Sequence, residues 1–239
     1  MDTVLVALLV GAVFIVAERI RPNVALERVE FWYARALVFN AVQAAIAVAG
    51  THLWDRWFAD VPLLVLDTLP VPAQVAVGYL VITFVYYWWH RARHHSSFLW
   101  RHLHQFHHSP VRIEVVTSFY KNPLEIVLNG MLSSAILYVL LGLTATAVGY
   151  TVLLTALAEF VYHMNIKTPR AMGLFFQRPE MHRIHHGRGV HHYNYSDLPL
   201  WDMLFGTYRN PETADGATGF PDGNELRVGA LLRGEEVAS

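Results

Sequence analysis

Long apolar stretches separated by short charged connections constrain this chain more than any other feature. Thr3 to Ala17 carries no charge, Ala34 to Trp54 carries only Arg35, and Ala73 to Trp89 carries none. Leu124 to Tyr162 is largely apolar over about forty residues and contains no Lys or Arg. A helix needs roughly 20 mostly apolar residues to cross a bilayer. A backbone in lipid must satisfy its own hydrogen bonds, which selects helices for such runs. The fold expected is therefore an all-α integral membrane protein with four or five apolar helices. Only 15% of the residues are charged, against about 25% in ordinary soluble domains.

Punctuation divides the runs. The first is short for a span, but the helix can continue past it, with Arg19 and Arg21 reaching the interface. Its basic residues follow the apolar run, unlike those of a signal peptide, so it reads as a retained helix. Pro22 to Tyr33 is a connecting or interfacial segment. Asp55 to Pro72, broken by Pro62 and Pro70, reads as an extramembrane loop with a short surface helix. Gly142, Leu143 and Thr144 mark a turn that splits the last run into a hairpin. Residues 1–209 form the membrane-embedded domain in this reading, and residues 210–239 a peripheral polar tail.

Charge sets the orientation. The first connection carries Arg19, Arg21, Arg28 and Arg35, the second only Arg56, and the third Arg91, Arg93, Arg101, Arg112 and Lys121. The positive-inside rule places the first and third in the cytoplasm. The histidine-rich segments then form a helical cap on that face.

Those segments hold most of the 14 histidines. His90 to His108 reads HRARHHSSFLWRHLHQFHH, and His182 to His192 reads HRIHHGRGVHH. His90 and His94 are one helical turn apart and share a face. His104, His107 and His108 form an HxxHH unit, repeated by His182, His185 and His186. In such a unit the i, i+3 pair is expected to converge while the adjacent histidine points about 100° away. The unit then offers ligands to two metals, or two ligands and an outer donor. Without metal, so many buried imidazoles would need polar partners and would repel on protonation. His52, His95 and His102 read as surface or packing residues. His163, just past the last apolar run, is a further candidate ligand. Glu159 lies one turn before it, and His191 and His192 close the second cluster, so each is a candidate for the metal or for a partner of its ligands. Asn165, Asn194 and Asp202 are candidates to orient an imidazole. Arg183 and Arg188 suit a lipid headgroup, an acidic partner or solvent.

With no cysteine, disulfides, thiolate-ligated haem and all-cysteine iron–sulfur clusters are excluded. A net charge of -1 argues against nucleic-acid binding. Nitrogen-rich sites suit iron, zinc, copper or nickel, and composition alone leaves the choice open. Apolar surroundings favour a lipid substrate.

HRARH at His90–His94, WRHLHQFHHS at Trp100–Ser109, HMN at His163–Asn165, PEMHRIHH at Pro179–His186 and NYSDLPLWDMLFGTY at Asn194–Tyr208 are together similar to the fatty acid hydroxylase and sterol desaturase superfamily of membrane di-iron enzymes. The resemblance covers most of residues 15–209. Ser196 stands where those proteins commonly carry glycine, and Lys121-Asn122-Pro123-Leu124-Glu125 resembles their R-H-P-x-E stretch with its first two residues changed. The resemblance implies two iron ions held by His90, His94, His104, His107, His108, His163, His182, His185 and His186, with dioxygen as co-substrate. It implies a membrane lipid as substrate, and a separate ferredoxin- or cytochrome-like electron donor with its reductase. The reaction implied is lipid hydroxylation, with desaturation as the alternative at the same centre. A bis-histidine haem electron carrier is the competing non-enzymatic reading, and metal storage or sensing is another.

Overall fold

The computed structural model describes residues 3–190, 192–213 and 215–237. Five helices are long and apolar enough to span a membrane: α1 (Thr3–Ile20), α2 (Trp32–Leu53), α3 (Val71–His95), α4 (Pro123–Leu140) and α5 (Ala145–His163). Two shorter helices, α6 (Pro179–His185) and α7 (Pro199–Leu204), lie in the cap. The described residues contain no β-sheet, only an isolated bridge between Gly187 and Thr218. The chain is an all-α, multi-pass membrane protein, and the upper count of apolar helices expected from the sequence is the one observed.

Local sequence explains the helix ends. α1 runs past its uncharged stretch through Glu18 and Arg19. α3 starts on Pro70-Val71-Pro72, where missing amide donors cost nothing. It continues beyond Trp89 and carries His90 and His94 on its last turns. Asn122 caps α4 by accepting from the Leu124 amide at 2.9 Å. The hairpin turns at Gly142, where φ is +59° and a Cβ would come within 2.0 Å of the Leu64 carbonyl oxygen. Glycine is the residue that tolerates both conditions. Leu63 and Leu64 donate their amides to the Val139 and Leu140 carbonyls at 2.6 and 3.2 Å, satisfying acceptors at the end of α4.

α3, α4 and α5 pack through Ile82, Leu137, Leu143, Ala147 and Val148. Gln74 ties them, accepting from the Thr144 amide and hydroxyl at 2.9 and 3.0 Å. Two buried carboxylates fasten α1 and α2 to the cap. Glu114 accepts from the Trp32 indole at 2.7 Å and from Arg112 Nε at 2.6 Å, and it also pairs with Arg19. Glu18 Oε2 accepts from the amides of Val115 and Asn165, both at 3.0 Å. Acidic groups this deep are tolerated because each meets more than one donor.

The C-terminal segment joins this packing. Phe220, Ala230, Leu231 and Val237 share a buried cluster with Trp32, Phe106 and Tyr120. Phe106 and Tyr120 stack with ring centroids 4.5 Å apart. Phe106 lies between the ligand candidates of the first HxxHH unit, so the segment backs the histidines directly. Leu231 is fully buried. Replacing it with alanine should destabilise the protein by about 2–5 kcal/mol, read as a lower unfolding temperature in detergent, whereas Leu232→Ala on the same turn, 37% exposed, should cost far less.

Candidate metal centre

The local fold delivers histidines from four places to one point. The end of α3 supplies His90 and His94, and residues 97–108 supply His104, His107 and His108. The end of α5 supplies His163, and α6 with its C-terminal residue supplies His182, His185 and His186. The nine sort into two groups whose candidate ligand nitrogens lie within 4.8 Å of one another. One group is His90, His94, His104, His108 and His185; the other is His107, His163, His182 and His186. The groups share a wall, because the rings of His108 and His186 stack at 4.1 Å.

The sorting differs from the spacing argument. His104 and His108 fall in one group and His107 in the other. His182 and His186 likewise pair, while His185 crosses over. On a helix, i+4 is displaced by about 40° and i+3 by about 60° in the opposite sense, so the i, i+4 pair is the better aligned. Each HxxHH unit thus serves both groups.

Outward hydrogen bonds set the direction of the lone pairs. Nδ1 of His90 donates to the Tyr195 carbonyl at 2.7 Å, that of His163 to the Glu159 carbonyl at 2.8 Å, and that of His185 to the Tyr193 carbonyl at 2.8 Å. His107 donates to the Tyr120 carbonyl at 3.3 Å, and His104 to the Glu125 carboxylate at 3.0 Å. An imidazole that donates through Nδ1 keeps its lone pair on Nε2. Nε2 of His90 and Nε2 of His104 then face each other with their lone pairs, 2.9 Å apart; in the second group Nε2 of His163 lies 3.1 Å from Nε2 of His182, whose Nδ1 faces the Gln177 amide. Facing lone pairs at this distance repel unless a cation lies among them. The donor set therefore fits a nitrogen-liking metal ion in each group.

Burial, reinforced by neighbouring imidazoles, and also by Arg93 at His104 and Lys121 at His107, holds His104, His107, His108 and His182 well below the ordinary histidine range. They are neutral near pH 7, the form that ligates.

The other candidates lie around the two groups. Glu159 turns its carboxylate to Lys121 and contributes only its backbone carbonyl to His163. Asn165 bonds the Val24 backbone, and Asn194 the Met181 carbonyl and Arg209 amide. Asp202 accepts from the amides of Tyr195 and Ser196 at 2.8 and 3.0 Å. It thereby fixes the loop whose Tyr195 carbonyl orients His90. His192 is exposed and outside both groups, and His191 lies outside the described residues. His52 and His95 are exposed, and His102 is half-buried. Trp100 packs its ring 5.2 Å from both His94 and His108, whereas Trp88 faces outward.

Sequence reading missed Glu125 and Arg93 as supports. They form a buried ion pair against His104. A carboxylate opening an apolar helix was the available signal, since such a group must find a partner in the fold. Gln177, 2.6 Å from Nδ1 of His182, had no comparable signal.

A cavity of about 1020 Å³ runs between the helices from His90, His104, His107 and His182 to Trp54 and Asp55. Ile82, Leu137, Val148 and Leu153 line its middle. Polar groups line both ends, with Asp55, Arg56 and Ser134 at one and Lys121, Glu159 and Asp197 near the histidines. There Asp197, hydrogen-bonded by Tyr162, is pushed up to about 7 by burial and then by the Glu159 charge.

Glu125→Gln removes the charge that holds His104 while preserving shape. It should lower metal affinity about 10- to 100-fold, measured as metal retained against a graded chelator, with a near-native helical spectrum.

The comparisons agree with this architecture. The model of the fatty acid hydroxylase family matches residues 75–207. Ornithine lipid hydroxylase OlsE of Rhizobium tropici is 30% identical over 166 residues, covering 67% of this chain and 46% of that protein. Very-long-chain aldehyde decarbonylase GL1-9 of Oryza sativa subsp. indica is 29% identical, covering 56% of this chain and 54% of that protein. Human alkylglycerol monooxygenase is 33% identical, covering 55% of this chain and 29% of that protein. The chain thus spans about half the length, or less, of these relatives. No solved structure matches it. The family match extends from the third membrane helix to the close of the Asn194–Tyr208 segment and encloses all nine converging histidines; the chain belongs to the fatty acid hydroxylase family.

Proposed function

We propose that the protein hydroxylates a C–H bond of a membrane lipid, using dioxygen and two iron ions, one in each histidine group. The observation that carries this reading is the position of the two groups: His90 and His104 of one and His107 and His182 of the other line a largely apolar, lipid-sized cavity. His90, His94, His104, His108 and His185 would hold one ion, and His107, His163, His182 and His186 the other. Bound iron supplies the activation of dioxygen. The balance is one lipid C–H, one dioxygen, two electrons and two protons, giving an alcohol and water.

The chain's own residues perform the rest. The Nδ1–H donors hold the imidazoles in the ligating tautomer. The walls around Ile82, Leu137 and Val148 receive an acyl chain and exclude water, so that the substrate carbon is the reachable reductant. The C-terminal segment, with Leu231 and Phe220 in the cluster behind Phe106, keeps the first HxxHH unit in place. In this reading residues 1–209 form the catalytic domain, and residues from 210 onward cover it. Electrons come from a separate ferredoxin- or cytochrome-like donor with its reductase. The basic first and third connections support a cytoplasmic position for the centre, within reach of such a donor.

The relatives' names support lipid oxidation as the class: one is an ornithine lipid hydroxylase and another an alkylglycerol monooxygenase. Desaturation remains the alternative outcome at this centre, because removing a second hydrogen instead of inserting oxygen depends on substrate placement. The haem reading finds no support in the geometry. Axial imidazoles stand on opposite faces of a flat macrocycle, whereas these groups of four and five nitrogens each surround a point.

Protein expressed with iron-57 should carry close to two iron ions per chain, with a coupled Mössbauer signal. With an electron donor and a lipid panel, the product should gain one oxygen; loss of two hydrogens would select the desaturase outcome. His94→Ala and His186→Ala, one from each group, should each abolish product and lower bound iron. Stoichiometric zinc from iron-replete cells, with no iron-dependent oxygen uptake on reconstitution, would overturn the oxygenase reading.

A further inference from the structure

Outside the five spans, two cap segments present a dense apolar surface. At the end of the 3-10 turn Arg170–Leu174, Leu174, Phe175 and Phe176 are 56%, 68% and 55% exposed. On α7, Leu200 and Leu204 are 44% and 63% exposed. These segments are held rigidly together. The Tyr208 hydroxyl donates to the Gly173 carbonyl at 3.0 Å, the Gln177 amide to the Asp197 carbonyl at 3.2 Å, and Asn210 to the Arg170 carbonyl at 3.0 Å. A water-exposed surface rarely carries so large an apolar patch without a partner.

The structure indicates what covers it. On α3, Phe84 and Trp88 are 37% and 43% exposed, on the face a spanning helix turns to lipid. Phe84 packs against Trp201 with centroids 5.0 Å apart, and Trp88 against Phe205 at 4.8 Å. The lipid-facing surface of α3 therefore continues without a break onto α7. Depth agrees. The Trp201 indole donates to Thr83 Oγ1 at 3.0 Å, and Ser196 Oγ to the Thr83 carbonyl at 3.3 Å. Thr83 precedes His90 by seven residues, about 10 Å along a helix. α7 thus sits toward the bilayer from the histidines. Lys167 and Arg170 are exposed beside the aromatic loop, the arrangement of an interfacial anchor with basic residues at headgroup level. The residues that flank these segments, Gln177, Tyr195 and Asp197, line the cavity.

We propose that residues 170–176 and 198–205 form an in-plane membrane anchor, with Arg170 at headgroup level and the apolar side chains of residues 174–176 and of α7 immersed in the acyl region of the leaflet nearest the histidines. The anchor is the wall that separates the cavity from that leaflet. It does not depend on the metal or on the reaction.

The natural chain has no cysteine, so each introduced thiol is the sole labelling site. Phe175→Cys and Leu204→Cys are spin-labelled and reconstituted into phosphatidylcholine–phosphatidylglycerol vesicles. Val13→Cys, on the exposed apolar face of α1 (64% exposed), is the lipid control, and Glu236→Cys, whose side chain is 84% exposed, the aqueous one. Relaxation by oxygen is compared with relaxation by a water-soluble nickel chelate. The oxygen-to-nickel ratio at positions 175 and 204 should fall within about twofold of position 13 and exceed position 236 by about tenfold. Ratios like that at position 236 would overturn the proposal by placing the patch in water. Labels shielded from both reagents would also overturn it, by showing that a second protein copy covers the patch. A helical circular-dichroism spectrum and an unfolding temperature matching those of the unsubstituted protein report that each variant has folded.

Discussion

Mutual repulsion among inward-facing imidazole lone pairs is the constraint on which this structure turns. Nine histidines brought within a few ångströms gain nothing from hydrophobic burial and cost solvation on entering. The arrangement is stabilised from outside. Carbonyls of Tyr195, Glu159, Tyr193 and Tyr120, and the Glu125 carboxylate, each accept an Nδ1–H. Those acceptors come from segments far apart in the chain, so the cap can close only when α3, α5, α6 and the loop before α7 are all in place. The buried carboxylates Glu18, Glu114 and Glu180 are the fasteners. Glu180, for example, accepts from the Thr168 amide and hydroxyl, both at 2.8 Å, and positions α6.

Splitting each HxxHH unit between the two groups couples them mechanically. His107 and His108 are neighbours in sequence, yet they belong to different groups, as do His185 and His186. A small rotation of residues 104–108 or of α6 moves ligands of both sites together. Separate metal sites on separate elements would drift independently as the helices flex. Here the spacing between the two groups is fixed by covalent geometry on two elements and by the stacked His108–His186 rings.

Much of this was legible in the sequence because it depends on local periodicity. Apolar runs locate the helices, and Gly142 marks the hairpin because no other residue accepts its φ and its contact with Leu64. Histidine spacing identified the elements that bear the cluster. It did not identify which histidines share a group, because the i+3 and i+4 offsets differ by only a small rotation and the choice is made by packing. Tyr195 and Gln177 were hidden for a different reason. Their partners are His90 and His182, and the contacts act through a backbone carbonyl and an amide with no distinctive pattern. The buried role of Leu231 and Phe220 was equally hidden, since their segment reads as polar and its few apolar residues acquire meaning only against Phe106 and Trp32.

Ser196 shows how a departure from a common pattern is absorbed. Glycine is frequent at this place in the proteins the chain resembles, but Ser196 does not adopt a positive φ among the described residues, so no backbone strain opposes a side chain. Its hydroxyl donates to the Thr83 carbonyl, and its amide stays with Asp202. The substitution therefore adds a link between the loop that orients His90 and the helix that carries it. Asn194, two residues earlier, does take a positive φ of 58°, a conformation its short polar side chain tolerates. Strain is thus confined to one residue, and the adjacent residues are free to bind: Tyr195 through its carbonyl to His90, Ser196 to α3, and Asp197 into the cavity. The loop's function follows from that division, because the carbonyl that sets the tautomer of a ligand can be precise only if the backbone on both sides of it is anchored.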